Sequence, residues 1–173
     1  KYAIAGNMFA FGADPFADTR AKLAKSTTGI VRGTKDAKVT MVVFSDLECP
    51  HCTRGAPIVQ QLLVDLPGSK WVFQQFPLEQ IHPWSLTAAK YSDCVGRIAP
   101  AKAFPFNDEV VARQEQITAA NAAEKLNAIA KEKGVDAAML SACVEQPETA
   151  ARIQQSLDLG TSVGVNGTPT LFI

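Results

Sequence analysis

The chain has 173 residues, of which 47% are hydrophobic and 20% are charged, and its 17 Lys and Arg residues balance its 17 Asp and Glu residues. This composition is typical of one globular domain, or of one domain with an insertion, that buries its own core. The zero net charge argues against a nucleic-acid groove or a polybasic membrane surface. No apolar run reaches the roughly 18 residues that a membrane span requires. The four cysteines are too few for a disulfide scaffold, yet enough for one or two specific roles.

The start of the sequence is interpreted as that of a processed mature chain or of a trimmed one, and its end leads us to expect further chain. The chain starts at Lys1 without a methionine, and we identify no signal peptide in it, because no charged segment is followed by an apolar core. At the other end, the strand-like run over residues 168–173 stops at Ile173. We expect the natural chain to continue beyond it.

The first half of the chain predicts a strand, a helix and a second strand. A short helix over residues 16–25, interpreted as a packing arm rather than a membrane-surface or partner helix, and a loop over residues 28–38 come before them. Residues 39–44 are β-branched and apolar, which is typical of a strand buried on both faces. Residues 55–66 carry apolar side chains at helical spacing, and residues 71–76 form the second strand. Together they predict a βαβ unit with parallel strands.

The second half of the chain predicts helices until a strand returns at Thr170. Apolar residues recur at helical spacing from Pro83 onwards, whereas residues 99–107, which contain two prolines, are predicted to form a loop. Within that loop, Phe104-Pro105-Phe106 is either an exposed patch or an anchor in the helical core. Asp136 is the predicted cap of the third helix. The apolar positions of the four helices are Tyr91, Cys94, Val95 and Ile98; Ile117, Ala120, Leu126, Ile129 and Ala130; Leu140, Cys143 and Val144; and Ile153 and Leu157.

These elements predict an α/β protein with an inserted all-helical domain. We place an N-terminal arm at residues 1–28 and the helical insertion at residues 83–160. The α/β domain is then discontinuous, over residues 29–82 and 161–173, and is open to completion by further chain after its last strand.

The sequence Cys49-Pro50-His51-Cys52 follows the buried strand directly and opens the predicted helix. Two cysteines at this spacing in a βαβ context indicate a redox-active dithiol. A helix N-terminus presents free N–H groups and the positive end of the helix dipole, so it stabilises the thiolate of Cys49. We expect Cys49 to be exposed and Cys52 to be shielded one turn further on. His51 is expected to favour the Cys49 thiolate further, which stabilises the reduced form and makes the disulfide a stronger oxidant.

A zinc half-site is the alternative interpretation of this motif. Such a site needs a second pair of ligands at a similar spacing. Cys94 and Cys143 are isolated in the sequence, and His82 has no second histidine near it. We therefore predict a redox site with no metal and no organic cofactor.

Residues 44–52 (FSDLECPHC) and 164–170 (GVNGTPT) resemble the DsbA-like branch of the thioredoxin-fold thiol–disulfide oxidoreductases. The helical block is similar to the inserted domain of that family, and the likeness extends over about residues 29–173. The resemblance implies a thioredoxin-like fold and a periplasmic or otherwise extracytoplasmic enzyme. It also implies that this enzyme passes its disulfide to reduced, folding polypeptides and is reoxidised by a membrane partner of the DsbB or VKOR kind.

The resemblance assigns a second functional element to Thr168 and Pro169. In thioredoxin-like folds a cis proline at this place lies against the active-site cysteines. Proline has no N–H, so neighbouring backbone groups are free to pair with an extended substrate segment. The alternative is an ordinary trans proline that enters an edge strand.

The sequence departs from the family at one position near the cysteines. Family members often carry a buried acid six residues before the first cysteine, where this chain has Val43. Proton transfer to Cys52 then needs another route, through Asp46, Glu48 or water. His82 is predicted to have a structural role beside Trp84 at the joint between the two halves, with a second active-site group as the alternative.

The other two cysteines lie on apolar faces of predicted helices. Both faces are expected to point into the helical insertion, and the extracytoplasmic setting that the resemblance implies favours oxidation of a nearby pair. We predict a structural disulfide between Cys94 and Cys143. Two free buried thiols and a second redox pair are the alternatives.

The predicted function is that of a disulfide oxidant in which Cys49 is the attacked sulfur and Cys52 resolves the mixed disulfide. One rival is a reductase or isomerase on the same fold, because the direction of electron flow depends on partner and compartment. The other rival is a non-catalytic chaperone or binding module.

Overall fold

The computed structural model describes residues 14–34 and 36–173, apart from the side chain of Leu63. Residues 1–13 of the predicted N-terminal arm lie outside this description. In chain order the elements are α1 (Ala17–Ala24), β1 (Ile30–Gly33), β2 (Thr40–Ser45), α2 (Pro50–Asp65), β3 (Lys70–Gln75), α3 (Ser85–Ile98), α4 (Pro100–Ala112), a 3-10 turn (Gln114–Gln116), α5 (Ala122–Glu132), α6 (Ala137–Val144), α7 (Pro147–Ser162) and β4 (Thr170–Phe172).

The four strands form one mixed sheet in the order β1-β3-β2-β4. Strands β2 and β3 are parallel and are connected through α2, whereas β1 and β4 are antiparallel to their neighbours. Helices α3 to α7 all lie between β3 and β4 in the sequence and form the helical insertion. The predicted α/β fold with an all-helical insertion is therefore confirmed.

The two faces of the sheet pack against different helices. Successive side chains of a strand point to opposite faces, so Met41 and Val43 lie in one core and Val42 and Phe44 in the other. The larger core joins the sheet to helices α2 to α6, and the smaller one joins it to α7 and α1. Strand β2 therefore sits at the centre of the molecule, with the end that precedes α2 covered on both sides.

Strand β1 lies within residues 28–38, where the sequence predicted a loop, so that part of the prediction is wrong. The strand has only four residues and buries only Ile30, so it shows no alternating pattern to detect. Its pairing with β3 creates it, with Ile30 opposite Phe73. Gly33 closes the strand with φ of +102°, and a Cβ there would lie 2.1 Å from the carbonyl oxygen of Ser69.

Helix α4 replaces most of the loop that was predicted over residues 99–107. Pro100 occupies the start of the helix, where the missing N–H costs nothing. Burial of Phe106 and Val110 in the larger core outweighs the cost of Pro105 inside the helix. Phe104 is partly buried against the same core, so this segment is an anchor and not an exposed patch.

The remaining helices follow the sequence prediction closely. Asp136 caps α6, because its carboxylate accepts a hydrogen bond from the backbone N–H of Met139 at 2.8 Å. Helix α2 begins at Pro50, so the cysteine motif opens this helix as the sequence predicts, and both cysteines lie at its N-terminus. Among the described residues, no helix is both long enough and apolar enough to cross a membrane.

Candidate active site

Two free thiols lie at the start of α2, directly after the turn that follows β2. Cys49 is the N-cap residue, with an extended backbone (φ −72°, ψ 120°), and Pro50 takes the first helical position. Cys52 is in the first turn, and its N–H donates to the Cys49 carbonyl at 3.0 Å. The cysteines therefore stand where the helix presents its free N–H groups.

Both thiols are buried, so the expectation that Cys49 is exposed is wrong. Cys49 is 3% exposed and Cys52 is 6% exposed. Cys49 is covered because the loop before β4 lies against it, and its thiol donates to the carbonyl oxygen of Thr168 at 3.5 Å. A loop this distant in the sequence could not be placed from the motif alone.

Burial raises the pKa of the Cys52 thiol to about 11. Hydrogen bonds from the Asp46 backbone and from the Ser45 and Thr168 side chains oppose this rise, whereas the charge of Cys49 adds to it. At neutral pH Cys52 is therefore a thiol, which suits a group that accepts a proton when a disulfide opens.

The Thr168–Pro169 peptide bond is cis and its loop borders the dithiol. A Cβ added to Gly55 would lie 3.6 Å from Pro169 Cγ, so this loop also packs on the first turns of α2. The structure thus brings together four of the residues that the sequence singled out, which are Cys49, Cys52, Thr168 and Pro169.

His51 is exposed and its Nδ1 atom lies 2.9 Å from the guanidinium of Arg54. A guanidinium can only donate, so Nδ1 accepts and the ring of this conformer carries its proton on Nε2. Sequence reasoning missed Arg54, although residues three apart on a helix are neighbours. The role of His51 in setting the reduction potential stays a prediction.

Two acids precede Cys49, and both hold main-chain groups of the segment that follows β3. Burial raises the pKa of Glu48, and the hydrogen bond from the Trp84 N–H, at 2.6 Å from Oε2, opposes that rise. The Asp46 carboxylate is buried and lies 2.7 Å from Nδ1 of His82. Val43 is buried in the larger core, as its apolar side chain requires.

Cys94 and Cys143 are joined by a disulfide that links α3 to α6, with their Cα atoms 5.9 Å apart. Arg97 reaches this bond, and its Nη2 atom lies 3.0 Å from the sulfur of Cys143. Within residues 14–34 and 36–173, no three His, Cys, Asp or Glu side chains form a group able to hold a metal ion.

Comparisons with known sequences place the chain among thioredoxins. The model of a thioredoxin family, Thioredoxin_4, matches residues 25–173. The chain is 32% identical over 144 residues to the Na(+)/H(+) antiporter NhaA 3 of Salinispora tropica, and this match covers 83% of the chain and 21% of that protein. The chain thus spans about a fifth of the length of the curated relatives it matches, and antiporter activity is a property named for those whole proteins.

Solved structures show the same fold. The match to a thioredoxin-like oxidoreductase from Silicibacter pomeroyi has a TM-score of 0.74 at 28% identity, and covers 88% of this chain and 84% of that one. The thiol-disulfide exchange protein alpha-DsbA2 from Wolbachia pipientis gives a TM-score of 0.75 at 24% identity, over 90% of this chain and 84% of that one. BdbD from Bacillus subtilis gives 0.71 at 24% identity, over 84% of this chain and 80% of that one.

Proposed function

The chain belongs to the thioredoxin family, and from this premise we propose that it is a DsbA-like thiol–disulfide oxidoreductase that acts as a protein disulfide oxidant. Its oxidised form passes the Cys49–Cys52 disulfide to reduced, folding polypeptides. The observation that carries this proposal is the pair of free cysteines at the N-terminus of α2, in contact with the loop of Thr168 and Pro169.

The reaction proceeds through a mixed disulfide. A substrate thiolate attacks the sulfur of Cys49, the Cys49–Cys52 bond breaks, and Cys52 leaves and takes up a proton. A second substrate thiolate then attacks the substrate sulfur of the mixed disulfide and releases Cys49. The substrate loses two electrons and two protons, and the enzyme gains both. In this second step Cys49 leaves in preference to the substrate sulfur, because it lies at the positive end of the α2 dipole.

The loop before β4 supplies a place for the substrate chain. In the reduced protein the carbonyl of Thr168 accepts from the Cys49 thiol. In the mixed disulfide Cys49 has no hydrogen to donate, so this carbonyl is free to accept from a substrate N–H. Pro169 has no N–H of its own, and an extended substrate segment can pair here by strand addition.

The proposal also includes a compartment and an oxidising partner. We place the protein in the periplasm or another extracytoplasmic space, where the Cys94–Cys143 disulfide persists. After it has oxidised a substrate, the enzyme holds two thiols and must itself be reoxidised. In this proposal a membrane protein of the DsbB or VKOR kind is the oxidant.

The direction of transfer is tested by equilibrating the Cys49–Cys52 pair with glutathione and by following oxidation of a reduced, unfolded protein. A reduction potential near about −120 mV, the value for DsbA, supports an oxidant. A reduction potential near about −270 mV, the value for thioredoxin, indicates a reductase and overturns the proposed direction. If the dithiol does not exchange with glutathione at all, the protein is not a thiol–disulfide oxidoreductase, and the non-catalytic binding module is favoured. The Cys49→Ala and Cys52→Ala variants are the controls.

A further inference from the structure

The carboxylate of Asp46 is fully buried beneath the dithiol and is surrounded by donors. Its Oδ1 atom accepts from the backbone N–H of Glu48 at 2.8 Å. Its Oδ2 atom accepts from the N–H of Leu78 at 2.9 Å and from Nδ1 of His82 at 2.7 Å. Because a carboxylate only accepts, Nδ1 of His82 carries the proton in this pair. His82 is the side chain that completes the set of partners which a buried charge requires.

The main chain of the same residue contacts both cysteines. The carbonyl of Asp46 accepts from the N–H of Cys49 at 3.1 Å, which closes the turn between β2 and α2. The backbone of Asp46 also hydrogen-bonds to the thiol of Cys52 and opposes the rise of its pKa. A movement of Asp46 therefore moves a partner of each sulfur-bearing residue at once.

The segment after β3 holds the turn at two further points. The carbonyl of Leu47 accepts from the side-chain amide of Gln114 at 3.0 Å, and Glu48 accepts from Trp84. All three residues before Cys49 are thus tied to the segment that runs from Leu78 through the helical insertion. Of these ties, that of Asp46 is the one whose residue also touches both cysteines.

We propose that Asp46 and His82 are a positioning pair, in which His82 fixes the Asp46 carboxylate and the Asp46 main chain fixes the geometry of Cys49 and Cys52. This proposal rests on the dithiol function proposed above and adds two residues to it. In this proposal both residues act through the cysteines and not on the substrate.

The proposal predicts the direction in which loss of the His82 imidazole shifts the redox equilibrium of the Cys49–Cys52 pair. The contacts of Asp46 with Cys52 and of Cys49 with Thr168 belong to the reduced protein, whose thiols are free. Without His82 the Asp46 carboxylate loses a donor, so the turn before Cys49 loosens and the reduced form is destabilised. The disulfide then becomes the weaker oxidant.

The experiment measures the glutathione equilibrium of the Cys49–Cys52 pair in the full chain. We expect His82→Leu to shift the equilibrium constant about tenfold towards the oxidised protein, which corresponds to about 30 mV for a two-electron couple. His82→Asn keeps a donor near the position of Nδ1 and is expected to restore most of this shift. A change of less than twofold in a folded His82→Leu protein overturns the proposal, as does failure of His82→Asn to restore the shift.

Two comparisons separate positioning from simple destabilisation. Asp93→Asn removes another buried carboxylate, one paired with Arg97 and Arg152, and is expected to lower thermal stability while leaving the equilibrium constant unchanged. In an Asp46→Asn background, His82→Leu is expected to add less than a twofold change, because its partner is gone. The proposal is overturned if the shifts in the equilibrium constant caused by Asp46→Asn and His82→Leu are fully additive. It is also overturned if Asp93→Asn shifts the equilibrium constant as much as His82→Leu does. If the unsubstituted chain does not exchange with glutathione, the function proposed above fails before this test begins.

Discussion

The two pairs of cysteines are almost equally buried, yet one pair is free and the other is bonded. Cys49 and Cys52 are 3% and 6% exposed, and Cys94 and Cys143 are 0% and 7% exposed. Exposure therefore does not distinguish a dithiol from a structural bridge in this protein. The distinction lies in what surrounds the sulfur atoms and in how much chain the bond closes.

The surroundings of the two pairs differ in kind. The first pair lies within one helical turn, among main-chain donors and beside the loop that we propose binds the substrate chain. The second pair joins α3 to α6 through cysteines that are 49 residues apart in the sequence, and its polar neighbours are the side chains of Arg97 and Thr149. A guanidinium also favours a thiolate, so charge alone would suit either pair to redox chemistry. The feature that we propose makes the first pair catalytic is the adjacent main chain of Thr168, which contacts Cys49.

The largest expected effect separates the pairs by activity. Cys49→Ala reduces the oxidation of an unfolded substrate to the background rate, because no sulfur is left for the first attack. Cys52→Ala traps mixed disulfides through Cys49, which non-reducing electrophoresis detects. Full activity in Cys49→Ala, or faster alkylation of Cys52 than of Cys49 in the reduced protein, would reverse the roles given to the two cysteines.

The second prediction separates the pairs by stability. The double variant of Cys94→Ala and Cys143→Ala loses about 4 kcal/mol of unfolding free energy in the chain-entropy model for a loop of about 50 residues. For a domain of this size the melting temperature falls by about 8 to 16 °C. Substrate oxidation at 25 °C, well within the folded range, stays unchanged. Loss of activity in a folded double variant would instead make the second pair part of the redox chemistry.

The third prediction concerns alkaline pH and applies to the first pair alone. Burial raises the pKa of Cys52 from its ordinary value of 9.0 to about 11 in the folded protein. Between these values the unfolded chain has lost a proton that the folded chain keeps, so the unfolding free energy of the reduced protein falls as pH rises. Below about pH 9 both states hold the proton and this contribution is constant.

Denaturant unfolding of the reduced protein from about pH 8 to about pH 11 measures this effect. Reduced Cys52→Ala is the matched control, since all other titrating groups remain in it. The oxidised protein has no thiol at this position and is expected to lack the same contribution. Equal pH slopes in the reduced protein and in Cys52→Ala would contradict the shifted pKa.

The smallest expected effects concern tuning of the first pair. His51→Ser makes the disulfide less oxidising by about 30 mV, or roughly 1.4 kcal/mol, because a donor beside the Cys49 thiolate is lost. Arg54→Gln removes the partner of His51 at an exposed site, where such contacts contribute at most about 1 kcal/mol, and shifts the potential by less than about 20 mV. An unchanged potential in His51→Ser would remove this residue from the mechanism.

The parts of the fold that the sequence predicted are those with a strong local pattern. Strand β2 is apolar from Met41 to Phe44, α2 has apolar residues at helical spacing, and together with β3 they identify the βαβ unit. The position of the cysteines follows from this unit, because the motif comes between its first strand and its helix. The succession of strand, motif and helix along the sequence was therefore enough to locate the dithiol.

The missed features depend on contacts between distant residues. Strand β1 exists because β3 pairs with it, and α4 persists despite Pro105 because Phe106 is buried. Cys49 is buried by a loop 119 residues away in the sequence. His82 was expected beside Trp84 with a structural role, and its contact with Asp46 joins residues 36 apart. No periodic pattern marks any of these contacts.

The position of the helical insertion also has a consequence for how the chain folds. Val42 in the sheet pairs on one side with Val72 and on the other with Phe172, and the whole insertion lies between these two partners in the sequence. Pairings between residues so far apart in sequence form slowly, because a long loop must close first. Until β4 arrives, the edge of β2 is open to pairing with other chains, so the nascent protein passes through an aggregation-prone stage.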